Sequence, residues 1–327
     1  MRLSVVGVDI SKDWFDVEIR QFKHKERFEQ SASGFKLLLK RFKKYGIAKA
    51  RICMEATGLY FEKLAEFLHA HGHEVVVVNP QCIKAFSRTE LRRSKSDPLD
   101  AGLIGAFCEQ KYELLHTWEP LPPHYKEIRE LLRRRQALVD FRTAEKNRLQ
   151  AGFSSEEVMR SIRQMIAVLD AQIEELETLA FNMIASDPEL KQLVDLADSV
   201  VGVSRLTAAI VLVEVPRVLW SGRLAATFAG VIPTKESSGK SLSRSYLSRI
   251  GSARLRQALY MPAVVASQKN PVLKEFYDRL KARGLKSKQA LTAVMRKLLH
   301  LIFGVLKTGK MFDPKYEPKR REALLVA

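Results

Sequence analysis

The apolar and polar positions of this chain change period twice, and the changes divide it into three parts. In the first, Val5-Val6-Gly7-Val8 is a continuous apolar run that ends in Asp9 and turns polar at once. Such a run predicts a strand buried on both faces, with a carboxylate at its end. Trp14 to Ile19 alternates apolar and polar and predicts an antiparallel partner, reached through a short turn at Ser11-Lys12-Asp13. Phe22 to Phe28 predicts a third strand. Gly34-Phe35 to Tyr45 has the spacing of a basic amphipathic helix stopped by Gly46. Arg51 to Glu55 and Glu74 to Val78 read as further strands, separated by a helix from Leu59 to Ala70, and Asn79-Pro80 opens another helix. Pro98 suits the first turn of a helix running to about Gln110. Three hairpin-type strands followed by alternating helices and strands predict an α/β domain with a mixed sheet over residues 1 to 120.

Pro120, Pro122 and Pro123 then make a stiff linker. Tyr125 to Gln150 reads as a charged helix, broken at Gly152 to Ser155, with Ser154 or Ser155 capping the next. There Ile162, Ile166, Leu169, Ile173, Leu176, Ala180 and Met183 repeat at alternating spacings of four and three, an a/d seam that predicts a helical hairpin or coiled coil. Asp187-Pro188 ends this arm, which spans residues 121 to 190. Residues 191 to 327 read as mainly helical, with helices from Thr207 to Val215, from Leu255 to Ser267, near 271 to 283 and near 286 to 308.

Charge sharpens the division. Of the formal net charge of +18, little belongs to the first two parts, because Lys+Arg against Asp+Glu is 20 to 16 over 1–120 and 10 to 12 over 121–190. Over 231–310 it is 17 to 3, a density suited to a polyanion, so nucleic acid is the expected partner. An anionic membrane surface fits less well, since no amphipathic anchor with exposed aromatics accompanies the charge. No segment approaches a run of about 20 uninterrupted apolar residues and no cleavable signal precedes the first strand, so the expected compartment is the cytoplasm, without a membrane. Cys53, Cys82 and Cys108 lack metal-ligand spacing and read as reduced, mostly core residues.

Asp9 and Glu55 each end a predicted strand, and a carboxylate buried there needs a proton, a hydrogen bond, a salt bridge or a cation. Asp97 and Asp100, three apart at a helix start, share one face. Taken alone that pair is a cap and a dipole-stabilised carboxylate; together with Asp9 and Glu55 it offers clustered oxygens that suit Mg²⁺. His69, His71 and His73 straddle the helix stop at Gly72, where ligand geometry is hard to hold, so a metal site there is disfavoured. Val200-Val201-Gly202-Val203-Ser204 has the form of a phosphate-binding inter-helix turn, and an ordinary turn serves nearly as well. Gly239-Lys240-Ser241 looks like the end of a P-loop, but the required first glycine falls on Thr234. By composition the serines between Thr234 and Ser245 form a flexible loop; docked on the basic stretch that follows, they suit a phosphate site.

The set Gly7-Val8-Asp9, Glu55-Ala56-Thr57-Gly58, Asn79-Pro80, Lys95-Ser96-Asp97 with Asp100-Ala101, the helical arm, and the stretch from Gly202 to Met261-Pro262 resembles the DEDD-type insertion-sequence transposases and Piv-like DNA invertases, which include bridge-RNA-guided recombinases. The resemblance covers almost the whole chain. It implies an RNase H-like (RuvC-like) domain over 1–120, a coiled-coil arm over 121–190, and a basic, mainly α transposase domain over 191–327. It implies a metal-binding tetrad of Asp9, Glu55, Asp97 and Asp100 holding Mg²⁺ or Mn²⁺, and a nucleophilic serine at Ser238, the one before a glycine, with Ser237 and Ser241 as neighbours of no such role. Lys240, Arg244, Arg249, Arg254 and Arg256 would then contact nucleic acid. The implied activity is DNA recombination through a phosphoserine intermediate, guided by an element-encoded RNA, in a dimer or tetramer built through the arm. A structure-selective nuclease using the tetrad with water, or a non-catalytic nucleic-acid-binding protein, are the competing readings.

Overall fold

The computed structural model describes residues 2–56, 58, 60–89, 97–153, 155–238, 242–247 and 250–315; of these, 97–99, 234–238 and 242–247 are described by their backbone alone. The chain divides into two compact units, Met1–Leu121 and Pro122–Ala327.

In the first unit, β1 (Ser4–Ile10), β2 (Trp14–Ile19), β3 (His24–Glu29), β4 (Ala50–Glu55) and β5 (Glu74–Val78) form one sheet in the order β3-β2-β1-β4-β5. β1, β2 and β3 are an antiparallel meander, whereas β4 lies parallel to β1, and β5 parallel to β4. The strand order and mixed directions are consistent with the RNase H-like expectation. Alternation along the strands sorts two cores. Val6, Val8, Ile52, Met54 and Val75 pack with Leu38 and Phe42 of α1 (Ala32–Lys44) and Leu64 and Leu68 of α2 (Tyr60–Ala70). Val5, Cys53, Val76 and Val78 pack with Ile83 and Phe86 of α3 (Pro80–Thr89) and Leu103, Ile104 and Cys108 of α4 (Asp97–Gln110). Burial on both faces is why β1, β4 and β5 read as apolar runs.

Helix α4 lies unusually close to the sheet. A Cβ on Gly7 would stand 2.0 Å from the Ala101 carbonyl oxygen and 2.5 Å from the Gly105 nitrogen. One on Gly102 would stand 2.3 Å from Glu18 Oε2, and one on Gly105 would stand 2.7 Å from Arg20 Cδ. The buried Glu18 carboxylate meets Arg20 at 2.9 Å and Lys25 at 3.2 Å, and Arg20 reaches Glu109 of α4 at 3.0 Å. Farther along, the Leu3 amide donates to the Tyr112 hydroxyl. From Gly102 to Tyr112 the chain therefore runs against β1, and the first turn of α4 falls at the sheet end where β1 and β4 finish.

Two expectations shift. Phe22 belongs to a 3₁₀ turn (Arg20–Phe22), and Lys23, at φ 50°, redirects the chain into β3 at His24. Helix α1 starts two residues before Gly34 because Ser31 accepts from the Gly34 amide and caps it. The three histidines have different surroundings. The buried His73 accepts at Nδ1 from the Ala50 amide and packs against Phe42, whereas His71 bonds the Phe67 carbonyl and His69 lies beside Trp118.

In the second unit, α5 (Pro123–Ala151) and α6 (Glu156–Ser186) form a helical hairpin about 45 Å long. Ser155 caps α6 by accepting from Val158 N; Ser154 lies outside the described residues. The predicted seam is buried at Ile162, Leu169, Ile173 and Ala180, but its last member is Ile184, with Met183 half-buried. A straight helix advances 3.6 residues per turn, so a strict 3.5 repeat drifts off the buried face. Arg135–Glu177 and Arg142–Asp170 bridge the two helices at 2.6 and 2.5 Å. The arm in this chain is an intramolecular hairpin. Arg133 of α5 holds Glu214 of α8 (Arg205–Glu214) through two bonds of 2.6 and 2.8 Å.

Around α12 (Ser287–Thr308) gather α7 (Pro188–Asp198), α9 (Gly222–Ala229), α10 (Ala253–Lys269) and α11 (Pro271–Ala282), while α8 packs against α7 and α10. Gly202, at φ 104°, sits where a Cβ would come 2.6 Å from that of Ala266, so packing against α10 accounts for the glycine in the α7–α8 turn. Among the described residues α12 is long and apolar enough to cross a membrane by length and composition. Its Val294, Leu298, Leu299 and Ile302 are fully buried, and it packs against α7, α9, α10 and α11, which explains its apolarity as that of a core helix. The serine-rich stretch is a correction to the flexible-loop reading: β6 (Pro233–Ser238) and β7 (Leu242–Leu247) pair antiparallel, with Glu236 opposite Arg244 and Ser238 opposite Leu242. Serine content suggested a loop, but ladder pairing is a backbone property that polar composition does not forbid.

Two outcomes are expected. Gly7→Ala forces backbone against backbone and should destabilise the first unit by about 1–3 kcal/mol in urea unfolding of the full chain; a loss under about 0.5 kcal/mol would show that α4 has room to move. Burial, with the nearby His71, depresses the pKa of His73 below its ordinary value of 6.5. The unfolded chain therefore binds the proton first, so the stability contribution is complete above about pH 6.5 and is lost as pH falls through the depressed folded value. His73→Gln should flatten that acid loss in melting curves taken between pH 7 and 5, the range chosen to bracket the histidine transition at about 6.5.

Candidate active site

Sheet register places the first two candidate carboxylates side by side. Val8 of β1 is beside Met54 of β4, and each strand then presents its acid: Asp9 followed by Ile10, and Glu55 as the last residue. Asp9 continues the alternation of Val5 and Gly7, and Glu55 that of Cys53, so both belong to the face that α4 covers. Both are half-buried and both have interacting partners. Asp16 stands opposite Asp9 across the β1–β2 ladder, yet its carboxylate is held by Arg27 through bonds of 3.0 and 2.8 Å. That pairing separates Asp16 from Asp9 in role, although composition treats them alike.

Asp97 and Asp100 open α4, and Asp100 immediately precedes the Ala101 carbonyl that lies on Gly7. Asp100 is half-buried, whereas Asp97 is described by its backbone alone. The Gly7 contact and the Glu18–Arg20–Glu109 bridge thus carry the Asp97/Asp100 turn to the sheet end that bears Asp9 and Glu55. Among the described residues no three of His, Cys, Asp or Glu are gathered tightly enough to hold a metal ion. As a donor set, Asp9 and Glu55 at the sheet end, with Asp100 at the start of α4, offer hard oxygen ligands, the kind that Mg²⁺ and Mn²⁺ take in preference to Zn²⁺.

Sequence reasoning passed over the residues that make this convergence possible. Gly7, Gly102 and Gly105 admit the helix, and Glu18 and Arg20 fasten it. One signal was present, small residues at 101, 102, 105 and 106 of a predicted helix; Glu18, on the strand face of Trp14 and Asp16, gave none. Cys53 and Cys108 are buried in hydrogen-bond contact between β4 and α4, and that contact together with burial drives the Cys53 thiol pKa well up.

In the second unit Ser238 closes β6, with Ser237 just before it. Gly239, Lys240, Ser241 and Arg249 lie outside the described residues, and Arg244 is placed in β7 by its backbone. Arg254 is exposed in the first turn of α10. For Arg256, Nη1 donates to the backbone carbonyls of Ala229, at 2.9 Å, and Gly251, at 3.1 Å. The Ala229 carbonyl ends α9, where orphan acceptors and the helix dipole both attract a cation. Exposed Lys281, Arg283, Lys286 and Lys288 at the α11–α12 turn supply basic surface that reading by motif had left unassigned.

The comparisons with known proteins bear on both units. Residues 6–156 match a DEDD-type IS110 transposase model, described as a transposase, and residues 194–278 match the transposase IS116/IS110/IS902 family. The pilin gene-inverting proteins of Moraxella bovis and Moraxella lacunata are each 29% identical over 96% of this chain and 99% of their own length. An insertion element IS110 protein of Streptomyces coelicolor is 32% identical over 36% of this chain and 29% of its own. DEDD-type transposases are generally divalent-metal dependent, and cleaving and rejoining DNA is the activity common to transposases and invertases. With its acidic sheet end falling in the first matched stretch and its serine hairpin in the second, the chain belongs to the IS110-type family of DEDD transposases.

Proposed function

We propose that the chain excises and inserts, or inverts, a DNA segment through a covalent serine–DNA intermediate assisted by a divalent cation. The observation that carries this reading is the register that sets Asp9 beside Glu55 on the face where α4 opens with Asp97 and Asp100. Those four carboxylates would hold Mg²⁺ or Mn²⁺, which neutralises charge on a phosphodiester under attack. The Ser238 hydroxyl oxygen forms a bond to phosphorus while the bond to one deoxyribose oxygen breaks, and the serine proton ends on that leaving hydroxyl. Rejoining reverses the exchange with the hydroxyl of a new strand, so no nucleotide is consumed. Serine is a weak nucleophile unaided, and nearby lysine and arginine side chains supply the electrostatic stabilisation.

Inversion stands beside transposition because the gene-inverting relatives align over nearly their whole length. An element-encoded guide RNA is the proposed source of sequence choice, in keeping with a basic region suited to backbone contacts and no motif of a base-reading helix. The site of action is DNA in the cytoplasm. Assembly as a dimer or tetramer is proposed through the arm. Met165, Val168 and Leu179 form an exposed apolar strip along the flank of the buried seam of α6, and Phe141 of α5 is also exposed.

Met165→Glu with Val168→Glu should lower the assembly state in analytical ultracentrifugation without loss of helix; an unchanged mass would move the interface elsewhere. For the chemistry, Asp9→Asn and Asp100→Asn should reduce recombination of element DNA at least about a hundredfold while the fold survives. Ser238→Ala should bind DNA and yield no protein–DNA adduct, whereas Ser237→Ala and Ser241→Ala still form it. An adduct mapped to another residue would remove Ser238 from the mechanism, and full activity in Asp9→Asn would remove the metal site.

A further inference from the structure

The two ends of the β6–β7 hairpin are bound to each other by a small set of contacts. We propose that Arg256 is a positioning residue for strand transfer, closing a clasp across the base of the hairpin that carries Ser238. The proposal rests on the serine reading above. On the entering side, α9 ends at Ala229 and Gly230 turns left-handed at φ 69°. On the leaving side, the chain returns through Ile250 and Gly251, at φ 147°, to Ser252, which caps α10 by accepting from Leu255 N. A Cβ on Gly251 would stand 2.4 Å from the Phe228 carbonyl oxygen and 2.6 Å from Gly230 N, and one on Gly230 would stand 2.7 Å from the Ile250 carbonyl oxygen. The two glycines therefore let the incoming and outgoing backbones touch. The Ser252 amide donates to the Phe228 carbonyl at 2.8 Å, and Arg256 Nη1 spans both sides by donating to Ala229 and Gly251.

A two-stranded ribbon is at best marginally stable by itself, so its direction is set by how its base is held. Arginine suits the task because the two N–H bonds of Nη1 are held in the guanidinium plane and meet two acceptors at fixed geometry, which a lysine ammonium rotating on a flexible stem does not reproduce. Removing it leaves two partly buried carbonyls short of a donor. Its effect on chemistry is, on this reading, indirect, exerted through the direction of the hairpin and not through contact with DNA.

The test uses the full-length protein with Arg256→Gln, Arg256→Lys and Arg254→Gln. Three quantities are read: the salt dependence of binding to a random-sequence DNA duplex, amide exchange across 233–247 relative to 294–303 in α12, and the rate of adduct formation at saturating element DNA. In Arg256→Gln the hairpin amides should exchange about tenfold faster or more, with α12 protection, DNA affinity and salt slope unchanged. Its adduct rate at saturating DNA should fall by about tenfold or more, in step with the exchange. Arg256→Lys should behave like the Gln variant although it keeps the charge, whereas Arg254→Gln should flatten the salt slope by about 0.9 and leave the hairpin alone. Unchanged hairpin exchange in Arg256→Gln, rescue by lysine, or a flattened salt slope would each overturn the clasp, the last in favour of a phosphate contact. A loss of α12 protection in both Arg256 variants would also overturn it, in favour of a general structural role. If Ser238→Ala still forms the adduct, the serine reading fails, while the exchange and salt measurements on Arg256 still judge the clasp.

Discussion

The first unit depends on one close approach, that of α4 to β1 at Gly7. Any side chain at that position would overlap the Ala101 carbonyl and the Gly105 amide, so the helix reaches the sheet because Gly7 and Gly105 face each other. A steric allowance of this kind fixes distance but not rotation. Rotation comes from the polar bridge, in which Glu18, inward-facing and buried, binds Arg20, which in turn holds Glu109 near the far end of the helix. A buried carboxylate with two cationic partners costs desolvation that a surface pair does not, and such a pairing favours one arrangement by leaving a charge uncompensated in any other. With both constraints met, the first turn of α4 has one place to go, and it brings Asp97 and Asp100 toward the ends of β1 and β4.

The second unit solves a related problem with the same means. A hairpin rich in serine has few large apolar side chains with which to anchor itself, so its orientation is settled at its base by backbone packing at Gly230 and Gly251. In both units glycine lets two backbones meet, and an arginine beside the contact ties them: Arg20 to Glu18 and Glu109, Arg256 to the carbonyls of Ala229 and Gly251. Steric contact alone permits sliding. An arginine fork adds direction, because its donors need acceptors in fixed places.

What was legible in the sequence follows from this physics. β1, β4 and β5 showed because strands buried on both faces must be apolar throughout, and Asp9 and Glu55 stood out as the polar residues ending such runs. The arm showed because a seam must repeat. It failed by one residue at Met183 because a straight helix does not keep a 3.5 period. The hairpin stayed hidden because a ladder of backbone hydrogen bonds leaves no mark when the side chains are serine, lysine and arginine. Arg256 shows a similar limit, since a positive charge in a basic stretch does not announce that its Nη1 meets the last carbonyl of a neighbouring helix. Ser31 was missed because the apolar spacing of α1 begins at Phe35, past the cap. Asp9 and Glu55 could be placed near strand ends in advance, but the glycines that admit α4 to the sheet could be explained only once the distances were known.

Charge is divided between the units in a way that fits a division of labour on the proposed reading. The acidic sheet end belongs to a unit with nearly balanced charge, whereas the surplus of lysine and arginine belongs to the unit with the serine hairpin. On that reading a nearly balanced charge over 1–120 suits metal binding, and the surplus over 231–310 suits the phosphate that Ser238 would attack. Those two demands are opposed within one surface. Placing them on two compact units lets each be met by its own local sequence.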